Sequence, residues 1–136
     1  MKNILVTGGC GFIGSNLVDI LVKDPNNNVI VVDNLDTGKK EYCNAKATYI
    51  FEDIRDVFSL TKSTTKALQE ELKNIEVVFH LAALARIQPS FKKPIDTFDI
   101  NVQGTALVCE YARKIGAKVV YAGSSSYYGG VYLNEK

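Results

Sequence analysis

Three glycines spaced three apart, Gly8, Gly11 and Gly14, stand where an apolar β-branched run gives way to a helical pattern. Ile4 to Val6 suits a buried strand, and Phe12, Ile13, Leu17, Val18 and Leu21 recur at helical spacing behind it. Such a turn gives each glycine a separate duty: a tight reversal, close approach of backbone to a pyrophosphate, and close packing of helix on strand. The helix N-terminus adds unpaired N–H groups and the positive end of a dipole. Asp33 ends the next apolar run about 20 residues on, as a dinucleotide-binding fingerprint requires. A glycine triplet alone says little. The strand before it, the helix after it and the carboxylate beyond it together predict a dinucleotide site.

The rest of the chain alternates strand and helix. Val29–Val32 reads as the second strand, Asn34 to Ala47 as an irregular polar stretch, and Thr48–Phe51 as the third strand. Leu60 to Lys73 has helix formers, with Leu60, Ala67 and Leu72 at apolar spacing, and Glu76–Leu81 is a fourth strand. Pro94 suits a first helical turn. Ile95, Phe98, Val102, Thr105, Cys109 and Ala112 are expected along one face of that helix, which Gly116 caps. Lys118–Ala122 is the fifth strand. The fold class is α/β, a Rossmann-type doubly wound parallel sheet in strand order 3-2-1-4-5, with its crevice at the carboxyl ends of strands one and four. Residues 1–136 read as one domain.

A net charge of +1 gives no electrostatic reason to expect nucleic acid or an anionic membrane as partner. No apolar run reaches bilayer-spanning length, and the N-terminus enters a strand at once, so no signal peptide is expected. Cys10, Cys43 and Cys109 cannot all pair and show no metal-ligand spacing, so no metal site is expected and a reducing cytoplasm fits. Asp33 is either the acceptor for adenosine ribose hydroxyls or a turn aspartate. As an acceptor it repels a 2′-phosphate, and with Asn34 and Leu35 following and no adjacent arginine it selects NAD over NADP.

The strings Thr7-Gly-Gly-Cys-Gly-Phe-Ile-Gly-Ser15, Asp33-Asn-Leu-Asp-Thr-Gly38, Asp53-Ile-Arg-Asp56, His80-Leu-Ala-Ala83, Asn101-Val-Gln-Gly-Thr105 and Ser124-Ser-Ser-Tyr-Tyr-Gly129 occur in that order. Together they resemble the extended short-chain dehydrogenase/reductase family, in its NAD-dependent sugar-nucleotide epimerase/dehydratase branch. The resemblance implies NAD as cofactor and a nucleotide sugar as substrate. It places the backbone of Phe12 and Ile13 at the pyrophosphate, and Asp53 and Ile54 at the adenine. Leu81, Ala82 and Ala83 would line the cofactor crevice, and Asn101 would match the family's helix asparagine. From the residues alone, Asp53 reads equally as a turn residue and Asn101 as an exposed polar position.

The same resemblance makes Ser124 the catalytic candidate, hydrogen-bonding the reacting sugar hydroxyl. Ser125 and Ser126 replace the Asp-Glu pair of the dehydratases, which favours an epimerase-like redox step. The family's Tyr-x-x-x-Lys pair is harder to place. Tyr42 and Lys46 have the spacing but lie on the adenosine side. Tyr132 and Lys136 lie on the correct side but end the sequence, so the expectation is a chain that stops before the active-site helix. His80 is expected to pack at a strand end rather than to act in catalysis. Three functions remain: the NAD-binding domain of a sugar-nucleotide epimerase-like enzyme, an NAD-binding module without turnover, or an NAD-dependent reductase of the same family. Self-association into a homo-oligomer is a further expectation.

Overall fold

Among the residues described by the computed structural model, 1–61 and 65–124, five parallel strands form one sheet in the order β3-β2-β1-β4-β5. β1 (Lys2–Thr7) is central, between β2 (Asn27–Val32) and β4 (Val77–His80), with β3 (Thr48–Ile50) and β5 (Lys118–Tyr121) at the edges. The registers set Ile4 beside Val29 and Val77, and Thr7 beside Val32 and His80. The β-branched runs fit this position because a central parallel strand is buried on both faces. Ile4, Val6, Val29 and Val31 pack with Val18 and Val22 on one side; Leu5, Ile30, Val32 and Val78 pack with Ile54, Val57, Val108 and Ala112 on the other. Each Val, Leu or Ile among them, when fully buried, stabilises the fold by about 1.5–3 kcal/mol.

α1 (Phe12–Leu21) covers the first side; α2 (Ile54–Val57) and α6 (Thr105–Ile115) cover the second. The expected helix over Leu60 to Lys73 shortens to α3 (Lys66–Glu71). The Thr65 hydroxyl caps it by accepting from the Leu68 N–H, and Leu60 lies outside it, exposed. α4 (Ile87–Lys92) and α5 (Pro94–Phe98) precede a π-helical stretch, Asp99–Gly104, that leads into α6. Gly116 ends α6 with φ +73°, as its position implied.

The π-helical stretch corrects the expected helix face. Ile95, Phe98 and Val102 are exposed by 73%, 62% and 52%, Cys109 is exposed, Thr105 is half-buried, and of the six only Ala112 is buried. An i→i+5 turn adds a residue to the helical repeat, so positions before and after it no longer share one side. Gly104, Val108 and Ala112, four apart, face the core instead. Gly104 lets Ile54 pack close: a Cβ there would stand 2.7 Å from Ile54 Cδ1, which would have to turn aside.

A buried polar column fastens this turn to the sheet. The Ala82 N–H donates to Thr7 Oγ1 (3.3 Å), and the Thr7 hydroxyl lies 2.7 Å from His80 Nδ1. His80 Nε2 lies 2.9 Å from Thr105 Oγ1, whose own proton goes to the Asn101 carbonyl (2.7 Å). With the Thr105 proton so committed, Nε2–H donates; burial disfavours the charged ring, which leaves Nδ1 to accept from the Thr7 hydroxyl. His80 is 2% exposed, and burial pushes its pKa below the ordinary 6.5.

The unfolded chain therefore takes up a proton on His80 at a higher pH than the folded chain does. Stability is full above pH about 6.5 and falls as the pH drops below that value. Melting temperatures measured between pH 7.5 and 5 should fall for the natural chain. His80→Gln should start lower, by about 1–3 kcal/mol for hydroxyls left without their partner, and show a shallower dependence. Equal slopes for the two would refute a buried neutral His80.

Candidate functional site

The carboxyl ends of the central strands open into a two-lobed cleft. Gly8, Gly11 and the segment Leu81 to Leu84 are common to both lobes. One lobe continues over Asp33, Asn34, Asp36, Thr37, Gly38, Asp53 and Ile54. The other runs past Phe12, Ile13 and Gly14 to Asn101, Thr105, Tyr121 and Ser124. Every described residue expected at a cofactor or catalytic position lines one or both lobes. Tyr132 and Lys136, with Ser125 and Ser126, lie outside the described residues. Tyr42 closes a single 3-10 turn (Lys40–Tyr42) and the chain leaves it extended at Cys43, so Tyr42 and Lys46 share no helix.

The floor is the glycine turn. Gly8 has φ +74°, and a Cβ on it would lie 2.7 Å from the Ala82 nitrogen, so the turn and the end of β4 touch backbone to backbone. A Cβ on Gly14 would overlap the Gly8 carbonyl oxygen, which brings α1 hard against the turn. Gly11 differs. It is the N-cap of α1, without a side-chain cap, and a Cβ there would meet only the Gly8 oxygen, at an ordinary 3.4 Å.

Asp33 is buried at the end of β2, yet it borders the cleft. Its Oδ2 accepts from the Cys10 N–H (2.9 Å) and its Oδ1 from the Leu35 N–H (2.8 Å). Each oxygen keeps a lone pair for another donor. Asp53 is more heavily engaged. Its Oδ1 accepts from the Arg55 N–H (2.8 Å) and Nε (2.9 Å), and its Oδ2 from Arg55 Nη2 (2.8 Å) and Asn34 Nδ2 (3.3 Å). It caps α2, and the Arg55 guanidinium holds its carboxyl below the usual carboxylate range. Ile54 is 4% exposed and wedges against Gly104, with one edge on the cleft.

Asn101, inside the π-helical stretch, grips the opposite wall at two points. Its Oδ1 accepts from the Leu84 N–H (2.8 Å) and its Nδ2 donates to the Leu84 carbonyl (3.0 Å). The polar column beneath fixes the same segment from the other end, through Thr7 and the Ala82 amide. Sequence reasoning missed Thr7, Thr105 and Arg55 as partners. The signal for each was its place in a recognised string, but the pairing is tertiary. Ser124 stands just past β5, exposed at the lip of the cleft. Among the described residues no three His, Cys, Asp or Glu side chains converge as metal ligands. No helix among them is long and apolar enough to cross a membrane.

Comparison with known proteins agrees with this geometry. A provisionally named UDP-glucose 4-epimerase of Methanocaldococcus jannaschii is 44% identical over 132 residues, 95% of this chain and 39% of the relative. The UDP-N-acetylglucosamine 4-epimerase of Methanobrevibacter ruminantium, solved with UDP-N-acetylmuramic acid, superposes with a TM-score of 0.81 at 35% identity, over 99% of this chain and 42% of that one. The UDP-glucose 4-epimerase of Thermus thermophilus, solved with NAD, gives a TM-score of 0.76 at 34% identity, over 90% of this chain and 38% of that one. The chain thus spans about 40% of the length of these relatives. Residues 4–134 match the profile of the NAD dependent epimerase/dehydratase family, and the chain belongs to that family.

Proposed function

We propose that residues 1–136 are the NAD-binding domain of a sugar-nucleotide epimerase. The observation that carries this reading is Gly11. Packing within the chain does not require a glycine there, yet the position opens both lobes of the cleft at the start of a helix. A bare backbone at that place lets a pyrophosphate reach the first amides of α1, the arrangement such turns provide for phosphates. The family profile and the relative solved with NAD support the same cofactor.

In this reading Phe12 and Ile13 offer backbone N–H groups to the pyrophosphate. Asp33, with a spare lone pair on each oxygen, accepts from the adenosine ribose, and Asn34 and Asp53 border the adenine. Because Asn34 and Arg55 already occupy the Asp53 carboxylate, an adenine amine reaches it only by displacing Asn34. Leu81, Ala82 and Ala83 face the cofactor with small or apolar side chains, and Asn101 positions them through Leu84. When bound, NAD would supply hydride acceptance and return. Ser124 orients the reacting sugar hydroxyl at the outer lobe.

The nucleotide sugar, a cytoplasmic location suited to free thiols, and isomerase activity belong to the same proposal. So does self-association. Phe91, Ile95 and Phe98 are exposed by 76%, 73% and 62%, and offer a second copy an apolar face on α4 and α5.

Calorimetric titration is expected to show NAD binding more tightly than NADP. Asp33→Ala should weaken NAD by about 1–3 kcal/mol and narrow the preference; NADP binding as tightly as NAD would overturn the assignment.

Gly11→Val tests the turn itself. Its Cβ has room in the chain, so circular dichroism should show a folded domain while NAD binding is lost. Retained micromolar affinity would place the cofactor elsewhere. Turnover is tested with NAD and several UDP-sugars. The 136-residue chain is expected to bind NAD and show no turnover, because Ser124 can orient a hydroxyl but an ordinary serine does not take its proton at neutral pH. Robust turnover that is lost on Tyr132→Phe would overturn that expectation and bring Tyr132 and Lys136 into the site.

A further inference from the structure

The second residue of the glycine turn's inner loop is a cysteine, and its sulfur has a partner. Cys10 Sγ lies 3.6 Å from Cys43 Sγ, across 33 residues of sequence. Cys10 is fully buried, Cys43 is half-buried, and Cys109 is exposed and belongs to another part of the surface. The contact ends a longer strap. Beyond Asp33 the chain returns over the turn: the Lys39 N–H donates to the Cys10 carbonyl (3.0 Å), and Gly38 sits where a Cβ would lie 2.8 Å from Cys10 Cβ. The 3-10 turn Lys40–Tyr42 then sets Cys43, whose N–H returns to the Lys40 carbonyl (3.0 Å), beside the Cys10 sulfur. The strap carries Asp36, Thr37 and Gly38, which form one wall of the Asp33 lobe.

We propose that Cys10 and Cys43 are a modification site, a dithiol that small-molecule disulfides convert to an intramolecular disulfide stapling this strap to the glycine turn. A disulfide needs its sulfurs about 2.05 Å apart, so the two have to approach by about 1.5 Å. Side-chain rotation and a small shift of the strap supply that movement.

Access sets the order of steps. The Cys43 thiolate attacks a small disulfide RSSR, forming a mixed disulfide and releasing one RS⁻. The Cys10 sulfur then attacks Cys43 Sγ, and the second RS⁻ leaves. The two protein thiols lose two hydrogens and two electrons in all, and RSSR becomes two RSH. Burial and the charge of Asp33 push the Cys10 thiol up to about 12, so the second step is the slow one and quickens as pH rises. The site does not depend on the proposed cofactor, because neither Cys10 nor Cys43 lines either lobe of the cleft.

The test uses a Cys109→Ser chain, which removes the exposed third thiol, treated with oxidised glutathione at pH 8. Mass spectrometry should show loss of two hydrogens and no retained glutathione. Tryptic digestion without reductant should yield the peptide of residues 3–23 joined to that of residues 41–46. Cleavage after Lys39 and Lys40 in the folded protein should slow several-fold on oxidation and recover on reduction. With Cys43→Ser added, the Cys10 thiol should stay free. A lasting glutathione adduct on Cys43 beside a free Cys10, or two thiols still free after prolonged treatment, would overturn the proposal.

Discussion

A single buried carboxylate organises the cofactor end of this domain. Asp33 closes β2, and its two oxygens take the amide protons of Cys10 in the glycine turn and of Leu35 at the start of the strap. Hydrogen bonds to a charged acceptor are about twice as strong as neutral ones, so this pair holds two loops in fixed relation without any secondary structure between them. Leu35 takes a left-handed φ of 61°, a conformation that costs a branched-chain residue energy and that the bond to Asp33 offsets. Gly38 presses on the same carboxylate from the strap, where a Cβ would lie 2.9 Å from Oδ1. The group proposed to select the cofactor is therefore also a structural clamp. In the proposed reading, a change at Asp33 acts on loop order and on ribose recognition together.

The opposite wall uses neutral groups for the same purpose. The Thr7–His80–Thr105 column joins β1, β4 and the helix after the π-helical stretch, and Asn101 carries the connection on to Leu84. The widened turn gives that asparagine its position. In a regular helix the residue would follow the spacing of its neighbours, whereas the extra residue turns it toward the segment after β4. Ile95 and Phe98 of α5, just before the widened turn, are exposed.

Legibility followed the range of the interactions. The strands were readable because β-branched runs are local, and burial of central parallel strands on both faces makes those runs nearly continuous. Gly8, Gly11, Gly14 and Asp33 were readable because turn, helix start and strand end lie within one supersecondary unit. The face of the helix after Pro94 was misread because a π-helical turn leaves no mark in apolar spacing. Nor could composition show that Arg55 would take up the Asp53 carboxylate, or that Cys43 would reach Cys10 across α1 and β2. These are tertiary pairings. Their positions depend on where the strap and α2 come to rest, which short-range pattern does not encode.

The three glycines show how packing separates residues that the fold requires to be glycine from one that it does not. Gly8 is explained by its positive φ and its backbone contact with Ala82, and Gly14 by the approach of α1 to the turn. Replacing either disturbs the domain whatever it binds. Gly11 has neither reason, and Phe12 and Ile13 beside it expose 81% and 67% of their surface at a cleft. Two large apolar side chains and a bare backbone at a helix start are costly to display to water and gain nothing from the chain's own contacts. In the proposed reading a dinucleotide suits both features, its pyrophosphate the turn and its rings the walls of the cleft.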